Sequence, residues 1–215
     1  MRPLEQSHFA MASILFLPES TEGIDSSQTT VIANDYTKID VNLANFILQS
    51  VFPTNHVIAD DKGVPSVMVK IPKLTLKDLG ISDSEAAHPA FIVNGKEVDA
   101  IYLSKYPNTL VNGVGASLPA AEPAAEITFT ESVKACADKG KGWHMMTRAE
   151  YALLALICAQ QGFQPKGNNC FGRDYHDKMS AAIPCDTKGI HTETGTGPAE
   201  WYHTNDHSGI ADLNG

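Results

Sequence analysis

Apolar and polar positions alternate with period two from Val64, with Val67, Val69 and Ile71 on one side and Met68 and Lys70 on the other, until Pro72 ends the run. A strand is predicted there. Phe91-Ile-Val-Asn-Gly-Lys-Glu-Val predicts a hairpin, because Asn94-Gly95 supplies the positive φ angles that a tight turn between apolar arms requires. Its second arm is expected to run to about Leu103. Lys105-Tyr-Pro-Asn and the Asn112-Gly113-Val-Gly115 cluster then predict irregular loop.

Further on the apolar period becomes helical. Thr128-Phe-Thr-Glu131 is a capping box, in which a hydroxyl and a carboxylate three residues apart satisfy free amides at a helix start. That helix should run to about Lys139 and stop at Gly140. Thr147-Arg-Ala-Glu150 repeats the device and opens a stronger helix, with Ala149, Ala152, Leu153, Leu156 and Ile157 on one face and Gly162 as its C-terminal cap. From Gly162 to Gly215, Gly, Asn, Asp, Thr and Pro dominate, so turns and side-chain hydrogen bonds are expected to hold the chain there. Periodicity alone defines an α+β protein.

The first 62 residues are rich in Ser, Thr, Asn and Asp, with one piece at helical spacing, Val41, Ala44, Leu48 and Val51. Residues 1–62 read as an attachment or linker region, partly irregular, or as a partly disordered tail. Residues 63–215 read as the folded domain.

Composition narrows the function classes. The 215 residues are 43% hydrophobic and 19% charged, an ordinary globular balance. A net charge of -9 without a basic run disfavours binding to a phosphate backbone, so nucleic acid is not an expected partner. The apolar stretch Phe9 to Leu17 is far shorter than the ~20 residues of a membrane helix, and no membrane span is expected. Arg2 with Ala10-Met-Ala-Ser gives only a faint secretory pattern, and Met11 could equally be the native start.

The cysteines Cys136, Cys158, Cys170 and Cys185 have no zinc-type spacing. Cys136 and Cys158 fall on apolar helix faces as small buried hydrophobes. Cys170 and Cys185, in a Gly- and Asn-rich region, are candidate disulfide or reactive partners, and their spacing leaves this open.

The most distinctive stretch is Gly142-Trp-His-Met-Met-Thr-Arg-Ala-Glu-Tyr, followed by Pro165-Lys-Gly-Asn-Asn, Phe171-Gly-Arg-Asp, Gly195-Thr-Gly-Pro-Ala-Glu-Trp201 and Asp212-Leu-Asn-Gly215. This order resembles the formylglycine-generating-enzyme (sulfatase-modifying factor) branch of the C-type-lectin fold, over roughly residues 88 to 215. Members usually continue past Asp-Leu-Asn-Gly with Asn-Val-Trp-Glu-Trp and a loop-rich C-terminal part, which this sequence does not contain; the domain is expected to be truncated there. Pro65-Ser-Val-Met-Val-Lys-Ile-Pro72, His88-Pro-Ala-Phe-Ile-Val-Asn-Gly-Lys and Lys105-Tyr-Pro-Asn108 are similar to the version found in phage and prophage structural genes. The resemblance implies a C-type-lectin-like domain of two helices, short strands and long loops, displayed on a virion (phage tail) or extracellularly. It would bind a host-cell surface receptor or polymer beside other phage structural proteins, with a homo-oligomer as a further possibility. The alternative is a sulfatase-modifying or related iron-dependent oxidoreductase. None of the four cysteines matches that family's catalytic positions, so no catalytic residue is assigned.

Candidate ligand-binding residues under the display reading are Trp201, Tyr202, His203 and Asn205, with Trp201 also a candidate for the core. Trp143 is expected as a core anchor, with His144 bonding a nearby carbonyl. Asn168, Asn169, Gly172, Arg173 and Asp174 form a loop motif, expected to be braced by side-chain-to-backbone bonds and by an Arg173 and Asp174 pair, in preference to a calcium site. His203-Thr-Asn-Asp-His207 contains metal-donor types, but no third ligand is fixed, so no metal or cofactor is assigned.

Overall fold

The structure, a computed structural model, describes residues 13–15 and 40–215. The rest of the polar N-terminal region and most of the Phe9 to Leu17 stretch lie outside the described residues. The described chain is mixed α+β, with three α-helices and several small antiparallel sheets.

The main sheet has five antiparallel strands in the order β2 (Asn55–Ala59), β3 (Pro65–Pro72), β6 (Ala100–Ser104), β1 (Ser13–Leu15) and β9 (Trp143–Met145). Two of them precede residue 63. β1 pairs with both β6 and β9, and β2 pairs with β3 along its length, with Val57 opposite Val67. The expected strand is therefore β3, and the sheet reaches back into the segment read as an attachment region.

Alternation along β3 feeds two cores. Val69 and Ile71, with Ile101 and Leu103 of β6, join Leu79, Ala90, Phe91, Leu153, Leu154 and Ile210 in the main cluster. Met68 points the other way and packs with Trp143, so Trp143 is a core anchor. Beneath its ring lies the buried Lys139, with Nζ 4.1 Å from the ring centroid.

Both capping boxes form. Thr128 and Glu131 open α2 (Phe129–Ala137), and Thr147 and Glu150 open α3 (Arg148–Gln160). α2 ends two residues earlier than expected. Lys139 folds inward, where Nζ donates to Ser66 Oγ (2.8 Å) and the Gly115 carbonyl (2.5 Å) and faces Asp60 at 3.7 Å, and Gly140 turns the chain at φ +123°. On α3 the buried side is Leu153, Leu154 and Cys158, flanked by Ala149, Leu156 and Ile157, whereas Ala152 is exposed. The helix therefore packs about one position round from the expected stripe. Glu150 is buried with it, because its carboxylate accepts from the Thr147 amide (2.6 Å) and contacts His144 Nε2 (3.1 Å).

Two expectations about hairpins change. Asn94 (φ 51°) and Gly95 (φ 76°) make the expected turn between β4 (Ile92–Val93) and β5 (Lys96–Glu97), but the second arm ends at Glu97 and β6 leaves for the main sheet. Asn112 (φ 52°) and Gly113 (φ 78°) make a second such turn, between β7 (Thr109–Val111) and β8 (Val114–Ala116), where irregular loop was expected. An Asn-Gly pair held the same information in both places.

The amphipathic piece near the start is α1 (Val41–Val51), capped by Asp40, whose carboxylate accepts from the Asn42 and Leu43 amides. It lies along β2, the edge strand. Val57 has its N–H and C=O directed outward there, and the Asn45 carboxamide binds both.

Candidate ligand-binding loop face

Beyond Gly162 the described chain has no strand and only one short 3-10 turn, at Ala199–Trp201, so its shape depends on turns. Residues 168–193 form two consecutive excursions. In the first, Arg173 bridges Ala181, the Asp174 amide donates to Ser180, and the Ala182 amide donates to Gly172, leaving 175–179 as the tip. In the second, Pro184 bridges Thr192 and the Cys185 amide donates to His191, leaving 186–190 as the tip.

Side chains of the loop motif hold these tips. Asn168 Oδ1 accepts from the Gly172 amide (2.7 Å), while its Nδ2 donates to Ile190 in the second excursion (3.0 Å). Asn169 accepts from the Tyr175 amide (2.7 Å) and donates to Asp174 Oδ2 (3.1 Å), whose other oxygen accepts from the His176 amide (2.9 Å). Burial raises the Asp174 pKa, but these bonds outweigh it and hold the carboxyl below its usual range. Asp186 does the same for the second tip, accepting from the amides of Lys188, Ile190 and His191. Asp174 is thus braced by amides and not by Arg173, which is exposed and contributes through its backbone. These oxygens accept from N–H donors and so hold the loop tips.

Asp174 is buried and Asp186 half-buried, while other groups face out. Phe171 is 70% exposed, Tyr175 69% and Met179 91%, with Ile183 and Ile190 also exposed. Arg173, Lys178 and Lys188 are exposed among them, whereas Asp177 is engaged by Lys166 (2.7 Å). Phe171 adopts φ 50°, an uncommon conformation for a bulky residue, with its backbone pressed against Gly189. A Cβ on Gly189 would stand 2.9 Å from the Phe171 carbonyl carbon, so only glycine allows the two excursions to meet there. Strain held by surrounding structure in this way is found disproportionately at functional sites.

The candidate residues at 201–205 lie beneath this face. Trp201, Tyr202 and His203 are buried, which corrects their assignment as ligand contacts; of the four, only Asn205 is exposed, at φ 57°. Trp201 Nε1 donates to Ser180 Oγ (2.7 Å) and supports the first excursion from below. Tyr202 OH donates to the Gly195 carbonyl (2.7 Å), and its ring meets His207 edge-on at 4.7 Å. His203 Nδ1 accepts from the Ile210 amide (2.7 Å), and burial lowers its pKa to about 4, so the ring is neutral and bound to backbone. Among the described residues no group of three or more His, Cys, Asp or Glu is placed to hold a metal ion.

A polar cluster missed by sequence reasoning fixes this sub-layer. Lys105 is buried; its Nζ donates to Asn55 Oδ1 and to the His207 carbonyl (2.5 Å) and sits 4.7 Å from the Phe52 ring centroid. Asn55 Nδ2 in turn donates to the Ser208 carbonyl (2.7 Å). Burial lowers Lys105 to about 8, against the charge of Asp206. Asp212 accepts from the Gly195 amide (2.7 Å), and burial pushes its carboxyl up to about 6. Lys105 lay in a stretch read as loop, and no local signal announced its burial.

None of the four cysteines is in a disulfide. Burial raises the Cys158 thiol, and burial with the charges of Glu122, Glu193 and Asp186 raises Cys185. Comparison of the chain with protein-family models and with curated proteins finds no match.

Proposed function

We propose that this chain is a non-enzymatic binding domain, a C-type-lectin-like module of the formylglycine-generating type from a phage or prophage tail, and that the 168–193 loop face contacts a host-cell surface receptor or polymer. The observation that carries the reading is the division of labour in those loops. Asn168, Asn169, Asp174 and Asp186 are spent on backbone amides, while Phe171, Tyr175 and Met179 are left in solvent. Exposed aromatic and apolar groups on a stiff frame lose little entropy on binding, which is how loop-borne binding sites gain affinity. Residues 168–193 carry Arg173, Lys178 and Lys188 against Asp174, Asp177, Asp186 and Glu193, but the three cations are exposed while the three aspartates are engaged within the loops, so anionic groups of a surface polymer can be met there. The sulfatase-modifying alternative requires a reactive thiol, and Cys158 and Cys185 are both shifted upward.

The test is retention of the purified chain on intact bacterial cells and on immobilised anionic and neutral surface polysaccharides. Wild type should be retained on a susceptible surface, more weakly at high salt, and the combined variant Phe171→Ala, Tyr175→Ala, Met179→Ala should lose at least tenfold in affinity with its fold intact. Equal retention of wild type and variant would exclude this loop face.

A further inference from the structure

We propose that the outward face of α1 is an interface between two copies of this chain. α1 carries apolar side chains on both its faces. Toward the sheet, half-buried Val41, Ala44 and Leu48 stand beside Asn45, which binds Val57, and Gln49, whose Nε2 lies 2.7 Å from His56 Nδ1. On the outward face Leu43, Ile47 and Val51 are more than half exposed and Phe46 is 74% exposed. None of its 11 residues is buried.

The spacing Leu43, Phe46, Ile47, Val51 makes one continuous stripe, and Ser50 on the same stripe has its hydroxyl satisfied by donating to the Ile47 carbonyl (2.7 Å). A small residue there lets a facing helix approach closely.

Three observations favour a second copy as the occupant. Residues 41–51 carry no charge, although the chain as a whole carries -9, so two copies can meet on this face without opposing carboxylates. A two-fold axis through Phe46 and Ile47 makes the stripe its own complement, as an isologous contact demands. Four side chains half to three-quarters exposed on each copy supply together on the order of 800–1,000 Å², the size of a weak, reversible contact. At Val57 strand addition is blocked, because Asn45 already occupies its outward groups. The contact therefore joins helix to helix, and it does not involve the 168–193 loops.

Sedimentation and light scattering of the full chain at tens of micromolar decide it. Wild type should show twice the 23.1 kDa monomer mass in a concentration-dependent equilibrium. Phe46→Glu and Ile47→Glu should each weaken association at least tenfold with the thermal transition retained. Phe129→Glu, at an equally exposed apolar site on α2, should leave it unchanged. A monomeric wild type, or a dimer indifferent to both α1 variants, would overturn the proposal.

Discussion

The carboxamide of Asn45 closes the edge of the main sheet by binding Val57 twice: its oxygen accepts from the Val57 amide (2.7 Å), and its nitrogen donates to the Val57 carbonyl (2.6 Å). A side chain from a helix thus stands in for a neighbouring strand. Edge strands offer unpaired groups to other chains, and covering them is one of the ways in which proteins avoid such pairing.

Replacing Asn45 by Ala should destabilise the protein by about 1–3 kcal/mol, since two half-buried backbone groups lose their partner. The Val57 amide should then exchange hydrogen faster by a comparable factor, and aggregation on heating should increase. Unchanged protection of Val57 would mean that water or another group serves equally well.

Asp212 and His203 should give opposed pH dependences that largely cancel. The folded His203 titrates near 4 against 6.5 for the free side chain, so its contribution is complete above pH 6.5 and is lost as pH falls toward 4. The folded Asp212 titrates near 6 against 3.8, so it favours the folded state at low pH and costs stability as pH rises through 6. Each amounts to roughly 3 kcal/mol. Asp212→Asn, which keeps an acceptor for the Gly195 amide, should be more stable than wild type at pH 7 and lose stability more steeply on acidification to pH 4. Parallel pH profiles for the two proteins would refute the assignment.

At alkaline pH the buried lysines dominate. Lys105 and Lys139 are both lowered by burial to about 8 from 10.5, so the unfolded chain binds more protons between those values and stability should rise from pH 8 to pH 10. Lys105→Met should remove about half of that slope. Chemical denaturation at several pH values measures it, and a flat profile for wild type would show that these amines are more hydrated than the structure indicates.

At the loop face, Phe171→Gly should remove the cost of a positive φ and leave stability equal or higher by up to ~1 kcal/mol, while weakening surface binding. A loss of stability would mean that the exposed ring contributes packing.

Leu153→Asp should cost several kcal/mol, because the side chain is fully buried in the main cluster. A melting temperature equal to that of the parent would show that this face of α3 is not core.

Where a few adjacent residues carry the whole physical instruction, the sequence by itself determined the outcome. Thr128 with Glu131, Thr147 with Glu150, and Asn94-Gly95 satisfy their own amides or set their own φ angles, and each helix start and turn appears where expected. The alternation along β3 likewise fixed its two faces. Tertiary structure decided the rest. That Asn45 would turn inward and Phe46 outward depends on the position of the β2 edge, which residues 41–51 do not encode. Burial of Lys105 and Lys139 required Asn55, Ser66 and the Gly115 and His207 carbonyls to converge from distant parts of the chain. At the candidate site, Asn168, Asn169 and Asp174 were legible as loop-holding residues because their bonds are local. The exchange of roles between buried Trp201 and exposed Phe171 was not legible, because an aromatic side chain in an aperiodic segment favours burial and solvent display equally until the fold supplies, or withholds, a space to fill.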